Sequence, residues 1–183
     1  MFKKIICTIF TAAAINASAQ VTALETKGLV FPDISGKTLA DKYIELPIKN
    51  GKKTVVGIAY SRAAEGDLKK WLNPLYNTFM VKEGGSSKNF DVAEIYDVNF
   101  IFIPVIAGLK NVIADFKAST DKEFWPYIMD TEKTDIKKLK ETLKAKDEKI
   151  PYFYVLEDSG KIIEVVSGAF KEEKMDKLEA AAE

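Results

Sequence analysis

The sequence predicts a layered α/β fold in a single domain, with an antiparallel β-hairpin at its C-terminal end. Patterns typical of strands and helices alternate along the chain, as they do when helices cover a partly parallel sheet. Near the C-terminus, two apolar strand patterns flank an Asp158-Ser159-Gly160 turn. The 183 residues are 47% hydrophobic and 30% charged, which is sufficient for one hydrophobic core.

Residues 1–19 have the pattern of a secretory signal peptide, which leaves residues 20–183 as the single domain. Lys3 and Lys4 form a basic start, residues 5–14 are apolar, and Ala17-Ser18-Ala19 is a cleavage motif. We therefore expect export, to the periplasm or to the extracellular space. An N-terminal anchor helix is the alternative, although the apolar stretch is short for a membrane span.

Composition restricts the possible functions of the exported chain. Removal of Lys3 and Lys4 lowers Lys+Arg from 27 to 25 against 27 Asp+Glu, which leaves a net charge of −2. Such a chain has no basic excess to attract nucleic acid. Cys7 is the only cysteine and the chain has no histidine, so disulfides, imidazole general bases and His/Cys metal sites are all excluded from residues 20–183.

The first half of the chain begins with an extended lead-in over residues 20–42, in which Gly36 marks a turn. Residues 43–48 are a candidate edge strand, and Asn50-Gly51 is a hairpin turn signal. Residues 54–60 are almost continuously apolar, as expected of a central strand that is covered on both faces.

A clear helix pattern begins at Leu68, with Asp67 as its predicted N-cap and Pro74 inside it. Its apolar residues recur at helical spacing. They are Leu68, Trp71, Leu72, Leu75, Tyr76, Phe79 and Met80. We interpret this stripe as core rather than as the lining of a ligand groove.

The remaining elements are shorter or less regular. The patterns predict a strand over 90–96, an apolar stretch over 101–116 that ends as a helix, a short strand over 125–129, a lysine-rich helix over 135–146, the hairpin over 152–166 and a closing helix over 172–182.

Three blocks of the sequence resemble the thioredoxin-like superfamily, and the resemblance covers residues 25–182. They are the lead-in at 31–39, the central strand and first helix at 54–80, and the run 150–168 around Ile150-Pro151. The resemblance implies a three-layer α/β/α sandwich with a mixed central sheet. It also implies that Pro151 is cis and faces the position of the redox cysteines.

Within that superfamily, the chain is similar to the mitochondrial ATP-synthase assembly factor and its bacterial relatives. The motifs that carry this likeness are Trp71-Leu72-Asn73-Pro74, the run from Pro151 to Ile162, and Ser167-Gly168-Ala169. The resemblance implies a protein that acts as an assembly chaperone and not as an oxidoreductase.

The stretch that corresponds to the redox site, residues 61–69, contains no thiol. The hydroxyl of Ser61 is too weakly acidic to replace a thiolate and cannot cycle through a disulfide. Thiol–disulfide exchange and thiol peroxidase chemistry are therefore excluded. We expect no enzymatic activity, no cofactor and no metal. We interpret Glu65 and Asp67 as solvated carboxylates of this loop.

Four residues form the predicted binding surface, namely Ser61, Arg62, Pro151 and Tyr152. Arg62 is the only arginine and has a planar fork of donors suited to carboxylate or phosphate. The alternative is a surface arginine that pairs with Glu65. Pro151 can display backbone to a peptide, or it can simply shape the loop.

The sequence leaves three functions open. The first is a non-redox binding or assembly module of the cell envelope, with a protein or peptide at the surface of Arg62 and Pro151. The second is a non-thiol enzyme on the same scaffold, which requires a cleft where Tyr, Lys and carboxylate groups converge. The third is a purely structural envelope domain. The oligomeric state does not follow from the sequence.

Overall fold

A computed structural model describes residues 25–79, 97–104 and 110–183 of the chain. The predicted signal peptide and the predicted strand at 90–96 lie outside these residues. The described elements, in chain order, are β1 (Ile34–Thr38), β2 (Tyr43–Leu46), β3 (Thr54–Ile58), α1 (Arg62–Phe79), β4 (Asn99–Ile103), α2 (Lys110–Ala118), a 3-10 helix (Lys122–Tyr127), β5 (Met129–Thr131), α3 (Lys133–Thr142), β6 (Tyr152–Leu156), β7 (Ile162–Ser167) and α4 (Glu172–Ala182).

The main sheet has four strands in the order β4-β3-β6-β7. The central strand β3 pairs parallel with β4 and antiparallel with β6, and β6 pairs antiparallel with β7. In register, Ile58 lies opposite Tyr152, so the end of β3 meets the start of β6. The predicted mixed sheet and its C-terminal hairpin are confirmed.

A second, smaller antiparallel sheet has three strands in the order β2-β1-β5. Its strand β5 follows an isolated parallel bridge between Phe102 of β4 and Ile128, which places the two sheets side by side. Gly36 of β1 permits a close approach there, because a Cβ atom at this residue would lie 2.1 Å from the carbonyl oxygen of Asp130.

Alternate residues of β3 and β6 point to opposite faces of the main sheet, and each face is covered by helices. On one face, Val55, Phe153 and Val155 pack in a cluster with buried residues of α1 and α4. On the other face, Val56, Tyr152 and Tyr154 pack in a cluster with buried residues of α3. Helices on both faces of the sheet make three layers, so the predicted α/β/α sandwich is confirmed.

The sequence placed three local features incorrectly. Residues 34–38 form strand β1 and not an irregular lead-in, because they pair on both sides with β2 and β5. Asn50-Gly51 does not close a hairpin, since β2 and β3 belong to different sheets. Residues 122–127 form a 3-10 helix where a strand was predicted from residue 125.

The first long helix also starts earlier than predicted. It begins at Arg62 and runs through Pro74 to Phe79, so Asp67 lies inside the helix and is not its N-cap. Gly66 and the polar residues around it interrupt the apolar periodicity, so the sequence pattern did not reveal the first turns of the helix. The expected loop at 61–69 is therefore almost entirely helical.

Among the described residues, no helix combines the length and the apolar character needed to cross a membrane.

Candidate functional site

The candidate site lies where β3 ends and α1 begins. We call residues 59–62 the junction. The backbone N–H of Ala59 donates to the carbonyl oxygen of Ile103 at 3.0 Å, which ties the junction to the end of β4. The Tyr60 side chain points into the core and is only 4% exposed, whereas Arg62 is exposed. The junction thus combines a buried aromatic anchor with an accessible cation.

Ser61 contacts the chain segment that precedes β6. Its hydroxyl donates a hydrogen bond of 2.6 Å to the backbone carbonyl of Glu148, a residue 87 positions away in sequence. Glu148 lies three residues before Pro151. The structure therefore brings Ser61 close to the segment that leads into Pro151, but through a backbone carbonyl and not through the proline.

Pro151 and Tyr152 are both buried. The carbonyl oxygen of Pro151 accepts a 2.8 Å hydrogen bond from the backbone N–H of Gly168, so it already has a partner inside the protein. The Tyr152 side chain is 0% exposed, and its hydroxyl accepts a 3.2 Å hydrogen bond from the backbone N–H of Asp147. In this conformation neither residue presents a side chain to an external ligand.

The expectation that Ile150-Pro151 is cis is wrong. Within the described residues the cis peptide bond lies at Leu46-Pro47. The cis and trans forms of an X-Pro bond differ by only about 0.5–1 kcal/mol, so tertiary context selects the isomer and the local sequence does not reveal it.

Arg62 makes no hydrogen bond or ion pair with any other described residue. It does act on Glu65, one turn further along α1. Burial raises the pKa of the Glu65 carboxyl above its ordinary value, and the positive charges of Arg62 and Lys69 oppose that rise without cancelling it. The Oε1 atom of Glu65 is buried and has no hydrogen-bond partner among the described residues.

This carboxylate changes the interpretation of Arg62. An anion placed at the start of α1 would meet the guanidinium but also the negative charge of Glu65 within the same turn of helix. Arg62 and Glu65 attract each other electrostatically, but no salt bridge within 4 Å joins them, so the pairing offered as the alternative is not observed. The Arg62 guanidinium is exposed at the start of α1.

A cluster of tyrosines lies beneath the junction. The hydroxyls of Tyr60 and Tyr154 are 3.2 Å apart and hydrogen-bonded, and the Tyr60 ring meets the Tyr152 ring edge-on at 5.7 Å. Burial raises the pKa of both Tyr60 and Tyr154 above the ordinary tyrosine value. Sequence reasoning missed this cluster, although the alternation of Tyr152 and Tyr154 along a strand already placed their rings on one face.

A second group of contacts lies on the other side of Pro151. The indole N–H of Trp71 donates to the carbonyl oxygen of Gly168 at 3.0 Å. The Lys174 ammonium donates to the carbonyl oxygens of Ser167 and Ala169 at 2.7 and 2.9 Å. Burial and the neighbouring Lys171 lower the pKa of Lys174 below its ordinary value. Sequence reasoning assigned no role to Lys174.

The contacts around the junction hold backbone in place. The Ser61 hydroxyl donates to a carbonyl oxygen, so it is not activated by a general base. Among the residues that the structure describes, no three His, Cys, Asp or Glu side chains cluster closely enough to bind a metal ion. The junction presents the exposed side chain of Arg62, and next to it lies the segment around Glu148, whose backbone carbonyl is hydrogen-bonded to Ser61.

Solved structures with the same fold include several thioredoxin-family proteins. The thioredoxin domain of a thiol-disulfide oxidoreductase from Bacteroides vulgatus is 18% identical, with a TM-score of 0.57 over 86% of this chain and 98% of that one. A thioredoxin family thiol:disulfide interchange protein from Chlorobium tepidum is 17% identical, with a TM-score of 0.54 over 86% and 98%. An exposed lipoprotein thioredoxin from Streptococcus pneumoniae is 15% identical, with a TM-score of 0.54 over 81% and 99%.

At these identities the likeness shows the fold and nothing more. No curated protein matched the chain in the sequence comparison. A family model described as "ATP10 protein" matches residues 15–183, which is nearly the whole chain. The chain therefore belongs to the ATP10 family and has a thioredoxin-like fold, which confirms both resemblances inferred from the sequence.

Proposed function

We propose that this protein is a non-redox binding module that assists the assembly of a protein complex in the cell envelope. The observation that carries the proposal is the hydrogen bond from Ser61 to the Glu148 carbonyl. The resemblance aligns residues 61–69 with the redox site of this fold, and we infer that a hydroxyl there holds the protein's own backbone where an oxidoreductase would need a thiolate.

Arg62 is the residue we assign to partner binding. It is exposed, it lies at the start of α1, and within the described chain it has no hydrogen bond or salt bridge that binding would have to break. A guanidinium presents five N–H donors in a fixed arrangement, and arginine is enriched among the residues that dominate protein interfaces. The partner is a protein that places backbone carbonyls against the junction, because a carboxylate there would also meet the negative charge of Glu65.

Export from the cytoplasm is part of the proposal. It is supported by the basic start, the apolar core and the Ala-Ser-Ala motif of residues 1–19.

The test is capture followed by direct binding. The purified protein is immobilised and incubated with envelope extract of the source organism, and each enriched protein is then purified and titrated against the bait. The family likeness makes subunits of the ATP synthase the first clients to titrate. Arg62→Ala should weaken binding at least roughly tenfold, while the matched control Lys122→Ala, another exposed cation, should not.

Two results would count against the proposal. If no purified client binds the wild-type protein, a purely structural envelope domain becomes the better interpretation. If clients bind but Arg62→Ala and Lys122→Ala behave alike, the binding function stands and the surface assigned to it is wrong.

A further inference from the structure

The segment between α3 and β6 runs directly past the junction. We call residues 146–150 the strap. The residues at its two borders, Ala145 and Pro151, are buried, whereas every residue within the strap is exposed or half-buried. The strap is therefore anchored at both ends by packing, and its one apolar side chain, Ile150, is half-buried against the core cluster that contains Tyr152 and Tyr154.

Polar contacts hold the middle of the strap against the junction. Ser61 donates to the Glu148 carbonyl at 2.6 Å, and the Asp147 N–H donates to the Tyr152 hydroxyl at 3.2 Å. The Glu148 carboxylate also forms an ion pair with Lys140 of α3. A segment fixed mainly by a few hydrogen bonds, with one half-buried apolar side chain, is among the first parts of a protein to open locally.

The end of α3 lies next to the strap. Lys144 adopts a φ of 52°, the left-handed conformation that commonly follows the last residues of a helix, and the Ala145 N–H donates back to the Lys140 carbonyl at 3.3 Å. The strap therefore begins directly after a helix terminus that is closed by its own backbone hydrogen bond. Immediately before Lys144, the Leu143 carbonyl accepts a 3.2 Å hydrogen bond from the Thr26 hydroxyl, so the chain is fixed on one side of Lys144 and held by the strap contacts on the other.

The strap also covers the polar edge of the tyrosine cluster. The Tyr152 hydroxyl accepts a hydrogen bond from the strap backbone, and the Tyr152 ring packs against the ring of Tyr60. Tyr60 immediately precedes Ser61 in the sequence. Loss of the Ser61 hydrogen bond would free both the hydroxyl of Ser61 and this aromatic edge, next to the exposed Arg62.

We propose that the strap is an autoinhibitory latch that Ser61 keeps closed over the junction. In the closed state, the backbone of the strap covers the surface beside Arg62. In the open state, the side chain of Ser61 and the ring edges of Tyr60 and Tyr152 become part of the surface that a partner protein contacts. The proposal rests on the proposed function, because it describes how that same binding surface is regulated.

The latch can be tested without a partner, by amide hydrogen exchange of the full chain. Ser61→Ala should speed exchange at the Asp147 and Lys149 amides roughly three- to tenfold, the range set by one lost hydrogen bond, while the amides of β3 and β6 keep their wild-type rates. Ser159→Ala, which removes an exposed hydroxyl from the β6–β7 turn, is the matched control and should leave the strap unchanged. Ser61→Thr keeps a hydroxyl and should restore protection.

Lys140→Met provides a second variant that does not touch the junction. It breaks the ion pair to Glu148 at a half-exposed position, so folding is not at risk, and it should speed exchange in the same strap amides by a smaller factor. The latch is overturned if Ser61→Ala leaves strap exchange at the wild-type rate. It is equally overturned if strap and sheet amides accelerate together, since Ser61 is then a general stabiliser.

Binding measurements separate the two proposals. A purified client that binds Ser61→Ala at least roughly threefold more tightly than the wild type supports both. If the strap amides respond as expected but no client binds either form, the proposed function fails and the autoinhibitory role fails with it, although Ser61 still controls local opening of the strap. If the wild type binds a client and the strap amides do not respond, the proposed function stands and the latch is wrong.

Discussion

The indole N–H of Trp71 and the carbonyl oxygen of Gly168 form a 3.0 Å hydrogen bond that joins two motifs far apart in the sequence. Trp71 belongs to the helix motif and Gly168 to the motif that follows β7, and both carried the family resemblance. The Trp71 ring also packs on Phe153 at 4.3 Å and meets Phe170 edge-on at 5.1 Å. The two motifs therefore form one structural unit behind the junction.

Trp71→Phe should destabilise the protein by about 2–3 kcal/mol, because it removes buried ring volume and leaves the Gly168 carbonyl without its donor. Urea denaturation gives the free energy of unfolding. Trp125→Phe is the control, since Trp125 is half-buried and also donates its indole N–H to a backbone carbonyl, that of Thr120. Its cost should stay below about 1 kcal/mol. Equal losses in the two variants would contradict a special role for Trp71.

Two glycine-to-alanine substitutions should have opposite effects. A Cβ atom on Gly57 would lie 2.7 Å from the Phe153 ring, so Gly57→Ala should destabilise the central strand by about 2 kcal/mol. A Cβ atom on Gly66 meets nothing within 4 Å and lies in a helix, so Gly66→Ala should stabilise by about 0.5–1 kcal/mol. Thermal melting of both variants checks the signs, and a stabilising Gly57→Ala would refute the packing of Phe153 over this strand.

Glu65→Gln should make the folded protein more stable at neutral pH. Burial raises the pKa of Glu65 in the folded protein. Between the ordinary pKa of a glutamate and this raised value, the folded state therefore keeps a proton on Glu65 that the unfolded state has already released. That carboxyl therefore costs stability increasingly as the pH rises from its ordinary range through the raised folded value. Stability curves between acid and neutral pH should show the advantage of Glu65→Gln growing with pH. The control Glu123→Gln removes an exposed carboxylate, and an identical curve for it would exclude burial as the cause.

The buried pair Tyr60 and Tyr154 should stay protonated in the folded protein well above about pH 10, where a phenol in water ionises. Their raised pKa values stabilise the folded state below that pH, and this stabilisation is lost as the pH rises above it. In a phenolate absorbance titration to about pH 11, Tyr60→Phe should therefore match the wild type in amplitude.

The sequence predicted most of the sheet because its central strands carry a strong local signal. Residues 54–58 and 152–156 are buried on both faces, which requires the continuous apolar runs that were visible in the sequence. The sequence of strand β1 contains no continuous apolar run of this kind. Its side chains are partly exposed, and Gly36 is present because β5 approaches closely, which is a tertiary reason.

The candidate site was only partly predictable from the sequence, because some of its contacts depend on tertiary structure and leave no local pattern. The sequence located the junction, since a strand followed by a helix marks it, and it singled out Arg62 by its rarity. The contact between Ser61 and Glu148 depends on how the strap is placed by α3 and β6, and no local pattern encodes it. Tyr152 was predicted as a surface residue, although its position opposite Ile58 in the register puts it inside.

The pairing of β3 with β6 has a consequence for the order of events during biosynthesis. β3 is made early, yet one of its two neighbours, β6, is made much later. Until β6 has been made, β3 has one hydrogen-bonding edge without a partner strand, and neither the strap nor the complete tyrosine cluster exists. The junction therefore acquires its final surroundings only after the segment from the strap through β6 has been synthesised.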